Sequence, residues 1–159
     1  EKMRCLLLAA MYHDVGKCYT PQELLNKPAR LTPEEYEVIK HHPSDSYALL
    51  KDRFPEEVAR IARSHHERLD GSGYPDGLTG DQMSLEVRII AVADTFDAMT
   101  SDRSYKKGRS PRQALSELYA LTNKYDENVL AVLRTMVEDG TAERICSMSE
   151  EELEAGAIS

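Results

Sequence analysis

The chain has 159 residues, enough for one domain with a core of its own. Its formal net charge of −8 leaves no basic footprint, which argues against general nucleic-acid binding. With 41% hydrophobic and 30% charged residues it reads as a globular domain, and no apolar run approaches the ~20 residues of a membrane span.

The first element, Met3 to Tyr12, is apolar on most faces, which predicts a buried helix. It starts with no N-cap signal, so residues 1–159 read as a single domain lacking its N-terminal helices. Thr32-Pro33-Glu34-Glu35 is a capping box with proline at the first helical position, opening a helix towards His41. Pro43 ends or restarts that helix and leaves His42 at a junction. Pro55 opens the next helix, where Val58, Ile61, Ala62 and His65 follow the i, i+3, i+4, i+7 stripe. His65 is thus expected to face the core.

Residues 70–80 hold four glycines and Pro75 without periodicity, which predicts a loop. A helix from Leu85 to Thr100 puts Val87, Ile90, Ala91 and Asp94 on one face. Ser110-Pro111-Arg112-Gln113 is another capping box, and a last long helix spans Glu127 to Asp139 with Gly140 as its stop. The Ser149-Glu150-Glu151-Glu152 run suits the start of a short terminal helix, in an acidic tail over 149–159 without visible chemistry. No strand alternation appears, so the expected fold class is all-α. Cys5, Cys18 and Cys146 show no CxxC spacing and read as free thiols of a reducing cytoplasm. Cys18 reads as a packing residue rather than a ligand.

Four of the five histidines and two aspartates stand in short, apolar-flanked contexts: His13-Asp14, His42, His65-His66 and Asp94. Imidazole and carboxylate are the ligand set for iron, manganese or zinc. A carboxylate on an apolar helix face is costly unless paired or bound to metal. For Asp94 the plain alternative is an ion pair with Arg88, but four histidines in comparable positions favour metal. Helical neighbours point ~100° apart, so His13-Asp14 and His65-His66 suit two adjacent ions better than one.

His13-Asp14-Val15-Gly16-Lys17, His42 before Pro43, the His65-His66 pair, Asp70-Gly71-Ser72-Gly73-Tyr74-Pro75-Asp76-Gly77-Leu78 and Ala93-Asp94-Thr95-Phe96-Asp97-Ala98 resemble the HD-GYP family in order and spacing. The resemblance runs from about Leu6 to Leu133. It implies a helical HD-domain bundle around a bi- or trinuclear metal site, with iron or manganese ahead of zinc. It implies a metal-dependent phosphodiesterase that hydrolyses cyclic di-GMP to pGpG or GMP.

By the same resemblance the metal ligands are His13, Asp14, His42, His65, His66 and Asp94, with Asp14 bridging two ions. Lys17 contacts the scissile phosphate, and Gly16 before it allows close approach of a ligand. Arg103 and Lys106 hold further substrate phosphates, with Lys107 adding charge nearby. Gly73, Tyr74 and Pro75 form a motif and partner-recognition loop, for example towards GGDEF domains, and Tyr74 either stacks on a guanine or pins the loop. His41 is expected to be exposed and non-ligating. Asp97 is expected either to support a histidine ligand or to face water.

Some positions depart from the pattern. The histidine that the wider superfamily places about thirty residues upstream is not in this sequence. Ser46 stands for a common glycine, Ser104 for a common proline, and Cys18-Tyr19-Thr20 for an apolar-glycine-apolar run. Two other readings stay open: an HD phosphohydrolase acting on another nucleotide, and a catalytically inactive receptor or docking module. A purely structural helical bundle fits poorly with so many ionisable groups at core positions.

Overall fold

The computed structural model describes residues 1–102 and 107–148. Their regular structure is helical: α1 (Lys2–Tyr12), α2 (Gln22–Leu25), α3 (Pro33–Ile39), α4 (His42–Leu50), α5 (Glu56–Ser64), α6 (Leu85–Thr100), α7 (Pro111–Ala120), α8 (Glu127–Glu138) and α9 (Thr141–Ser147). Tight 3-10 turns lie at Val15–Tyr19 and Gly80–Gln82, and an isolated Asp70–Thr79 bridge is the sole β feature among the described residues. The fold class is therefore all-α, as the patterning predicts. Arg103, Lys106 and the tail from Ser149 onwards lie outside the described residues, with the expectations attached to them.

The caps operate as read. Thr32 accepts from the Glu35 amide while Glu35 accepts from the Thr32 amide, and Ser110 and Gln113 repeat the arrangement at α7. Asp126 caps α8, and Gly140, at φ 81°, separates α8 from α9. His42 stands at the first position of α4, where Pro43 restarts the chain.

Two apolar clusters share α6. One joins Cys5 and Ala9 of α1, Val58 and Ile61 of α5, and Val87 and Ile90 of α6. The other joins Val92 and Phe96 of α6 to Ala114 and Leu118 of α7, Leu130 and Val137 of α8, and Ala142 of α9. Each fully buried aliphatic side chain contributes roughly 1.5–3 kcal/mol, so α6 is braced from both sides. Asp94 sits on this braced helix.

The expectation of a buried first helix needs correction. Only Cys5 and Ala9 of α1 are buried, while Met3, Leu7 and Met11 are 67, 58 and 72% exposed. Within the described residues α1 packs on α5 and α6 along one face, and no described element covers the opposite one.

Candidate metal centre

The site forms where the ends of α1, α4 and α5 meet the middle of α6. His13 caps the C-terminus of α1, and Asp14 leads into the 3-10 turn. His42 opens α4, His65 caps α5 and His66 follows it, and Asp94 comes from the middle of α6. His42 and His65 are fully buried, while Asp14, His13, His66 and Asp94 are partly exposed. The six residues thus form one cluster with a buried floor and an open side.

Ser46 and Gly16 hold the first two segments together. The Gly16 amide donates to Ser46 Oγ at 2.9 Å, and Ser46 Oγ donates to the His13 carbonyl at 2.7 Å. A Cβ on Gly16 would collide with the His42 carbonyl oxygen and the Ser46 nitrogen. The role expected for Gly16, close approach of a ligand, is therefore corrected. Its bare Cα serves the packing of the turn on α4. Gly16→Ala should cost about 1–3 kcal/mol or more, as overpacking does, and denaturant unfolding measures this. An unchanged midpoint would count against the contact.

Three imidazoles are oriented by the same device. His13, His42 and His65 each donate from Nδ1 to the carbonyl three residues back, Ala10, Ile39 and Ala62, at 2.8, 2.6 and 2.6 Å. With Nδ1–H spent there, Nε2 points inward as a lone pair. Burial pushes the His65 ring down to about 4, which keeps it neutral at physiological pH.

The inward atoms converge. His42 Nε2 and His65 Nε2 are 3.3 Å apart, and Asp14 Oδ1 lies 3.2 and 3.7 Å from them. His13 Nε2 lies 3.5 Å from Asp14 Oδ2 and 3.6 Å from Asp94 Oδ1. His66 Nδ1 lies 3.7 Å from Asp94 Oδ2. Asp14 Oδ1 is buried and finds no hydrogen bond among the described residues.

Acceptors facing acceptors repel unless a cation stands between them. Donor atoms that share one ion at ~2.1 Å are separated by roughly 3.0–3.4 Å, close to the spacings found here. The donor set therefore fits a divalent metal. His42, His65 and His66 form one potential group of ligands, and His13, Asp14 and His65 another.

The surroundings favour charged Asp14 and Asp94 and neutral His65 and His66. Burial works against the Asp14 charge, yet the His42 and Lys17 side chains outweigh it and hold the carboxyl far below the ordinary carboxylate range. Asp94 is likewise lowered, with burial opposing and His13, His65 and His66 prevailing. Burial, and then its neighbour His65, lowers His66. For His13, burial is outweighed by Asp94 and Asp14, which raise it.

Other expected residues separate clearly. Lys17 Nζ donates to Asp14 Oδ2 at 2.6 Å and sits at the rim, 38% exposed. Arg88 pairs with Asp126 and the Gly80 carbonyl, not with Asp94, so the plain ion-pair alternative for Asp94 does not form. His41 is exposed, as expected, and Asp97 is exposed and bonded to Ser101, so it supports no histidine. Cys18 is exposed rather than packed.

The Gly73-Tyr74-Pro75 loop folds over His66. Tyr74 stacks on the His66 ring with centroids 4.8 Å apart and planes 30° apart. Tyr36 meets Tyr74 edge-on, and Lys40 Nζ lies 5.4 Å from the Tyr74 ring centre. Arg68, which has no carboxylate partner among the described residues, stacks on Tyr125 at 5.0 Å. Sequence reasoning missed Glu67. It is fully buried and accepts from the Asp76, Gly77 and Leu78 amides. Its signal was its place before a glycine-rich loop whose amides need an acceptor.

The model of the HD domain family matches residues 1–129. The chain belongs to the HD domain family. Within it, the HD-GYP resemblance of the motifs is borne out. The cyclic di-GMP phosphodiesterase response regulator RpfG of Xanthomonas campestris pv. campestris is 50% identical over 76% of this chain and 32% of its own length. The 3'3'-cGAMP-specific phosphodiesterase 1 of Vibrio cholerae is 44% identical over 73% of this chain and 27% of its own. A solved HDG"Y"P protein of Bdellovibrio bacteriovorus superposes with a TM-score of 0.70 at 23% identity, over 86% of this chain and 44% of that one, which supports the fold. This HD domain spans between about a quarter and a third of the length of these curated relatives.

Proposed function

We propose that this HD domain is a metal-dependent phosphodiesterase for 3′,5′-cyclic dinucleotides, cyclic di-GMP first among them. The observation that carries the reading is the buried, unbonded Asp14 Oδ1 facing the Nε2 lone pairs of His42 and His65. Such a cluster of acceptors calls for cations. The kinship with enzymes named for cyclic di-GMP supports the substrate.

His13, Asp14, His42, His65, His66 and Asp94 would hold two or three divalent ions, iron or manganese ahead of zinc. Such ions supply an activated water and polarise a phosphoryl oxygen. Asp14, with one oxygen towards His42 and His65 and the other towards His13, would help to hold these ions. The reaction adds water across a phosphodiester. The P–O3′ bond breaks, the 3′ oxygen takes up a proton, and the phosphate stays on the 5′ oxygen of linear pGpG; a second cut gives GMP.

Lys17, partly exposed beside Asp14, would meet a phosphate entering from the open side. Arg103 and Lys106 are assigned to the remoter phosphate on sequence grounds. Tyr74, partly exposed beside His66, marks one edge of the same opening. Pairing of the Gly73-Tyr74-Pro75 loop with a GGDEF or other signalling domain and a cytoplasmic setting belong to the same proposal. No helix among the described residues is long and apolar enough to cross a membrane.

A second substrate has specific support. A relative named for 3'3'-cGAMP shares 44% identity, so the mixed cyclic dinucleotide competes with cyclic di-GMP. The test is turnover of both dinucleotides by protein loaded with iron or manganese, together with its metal content. Linear dinucleotide or mononucleotide products with at least two metal equivalents are expected. Binding of dinucleotide without turnover by metal-loaded protein would favour the docking module instead. Absence of metal after supplementation, with the fold intact, would overturn the reading.

A further inference from the structure

Glu67 belongs to neither group of potential metal ligands, yet no part of it reaches solvent. An ionisable group is buried so completely only where its lone pairs are used. Oε1 accepts from the Asp76 and Gly77 amides at 2.7 and 3.2 Å, and Oε2 accepts from the Leu78 amide at 2.9 Å. These contacts fold the loop back on the segment it left. The Tyr74 amide donates to the His66 carbonyl at 3.3 Å, closing the return. Gly73 passes so near that a Cβ there would fall on Glu67 Cα, Arg68 N and the His66 carbonyl oxygen. Arg63 braces the far side, gripping Asp76 with two bonds at 2.8 and 2.7 Å and Ser44 with a third.

The fold-back matters for one ring. His13, His42 and His65 are each fixed by a carbonyl three residues back. His66 lies beyond the end of α5, and no such carbonyl bonds its ring among the described residues. What lies flat against it is Tyr74.

Building on the metal-centre reading above, we propose that Glu67 is a positioning residue, whose carboxylate holds the Tyr74 loop against His66 and so sets the plane in which that imidazole meets the metal. Glu67 touches neither metal nor substrate. It replaces, through the loop, the backbone acceptor that the other three rings have.

The experiment compares Mn²⁺ affinity, amide exchange at residues 76–78 and the ring-current shift of the His66 protons. Glu67→Gln keeps the shape of the side chain but sets an amide donor against an N–H. It should expose the loop amides, shift the His66 signals and weaken Mn²⁺ binding ten- to a hundredfold, as loss of a group that orients a metal ligand does. Tyr74→Phe keeps the ring and should bind Mn²⁺ like the parent. Tyr74→Leu should weaken binding as Glu67→Gln does, and Glu67→Gln added to Tyr74→Leu should weaken it no further. If Glu67→Gln fails to fold, Gly73→Ala displaces the same loop with Glu67 intact and is expected to behave alike.

Loop amides released with unchanged Mn²⁺ affinity would overturn the proposal. So would a double variant weakened by the product of its two single effects. Should the parent protein take up no Mn²⁺, it is the metal-centre reading that fails. The His66 shift in metal-free Glu67→Gln then decides by itself whether Glu67 sets the ring.

Discussion

Asp14→Ala is expected to abolish turnover and to strip metal from the protein while the fold survives. The two oxygens of Asp14 face three of the four clustered histidines, Oδ1 towards His42 and His65 and Oδ2 towards His13. Its side chain is polar and partly exposed, so its loss removes charge rather than core. Several kcal/mol of transition-state stabilisation should go with the metal, at least about a thousandfold in rate. His41→Ala, on an exposed neighbour of His42, should change neither metal content nor rate. Metal analysis and turnover of cyclic di-GMP on both variants make the measurement. Full activity in Asp14→Ala, or equal losses in both, would mean that the site has been misassigned.

Lys17→Met should lower kcat ten- to a hundredfold and leave metal content near that of the parent. A lysine ammonium has no lone pair to give a metal, so its charge must act on substrate or on Asp14. Losing a charge-assisted contact to phosphate costs about 1.5–3 kcal/mol. The contact strengthens as charge grows on the scissile group, so kcat should fall more than KM rises. Methionine keeps the stem that packs beside the turn and removes only the charge. The ammonium bonds Asp14 Oδ2 at 2.6 Å, so metal content must be read alongside the kinetics. Loss of metal would recast Lys17 as support for Asp14, and unchanged kinetics would remove it from the mechanism.

The helices were legible wherever the signal was local. The boxes at Thr32 and Ser110, the prolines at 33, 43 and 111 and the stop at Gly140 act within a turn or two of themselves. Convergence of the proposed ligands was legible from the motifs, because His65 and Asp94 shared faces with residues that had to be buried. Tertiary facts were harder. The apolar composition of α1 could not tell which of its faces would find a neighbour. Gly16 looked like an opening for a ligand because the segment that fills its space, His42 to Ser46, lies some thirty residues away. Asp97 stood one turn past Asp94, but the drift of the helix turns it to solvent. Glu67 looked like any acidic residue after a histidine pair, since nothing nearby in sequence revealed that three amides would return to it.

The carbonyl bonds to His13, His42 and His65 also bear on how metal and folding are connected. In small zinc domains the ion assembles its own ligands, and the chain unfolds when a chelator removes it. Here the rings are aimed by backbone carbonyls, and the two apolar clusters lie outside the donor set. On the proposed reading, uptake of metal would therefore require little reordering of the chain. Its contribution to stability should rise only with occupancy, as for any ligand binding a finished native state. On the same reading, the domain would be a receptor for its ions before it is an enzyme, and metal supply would set activity without deciding whether the fold survives.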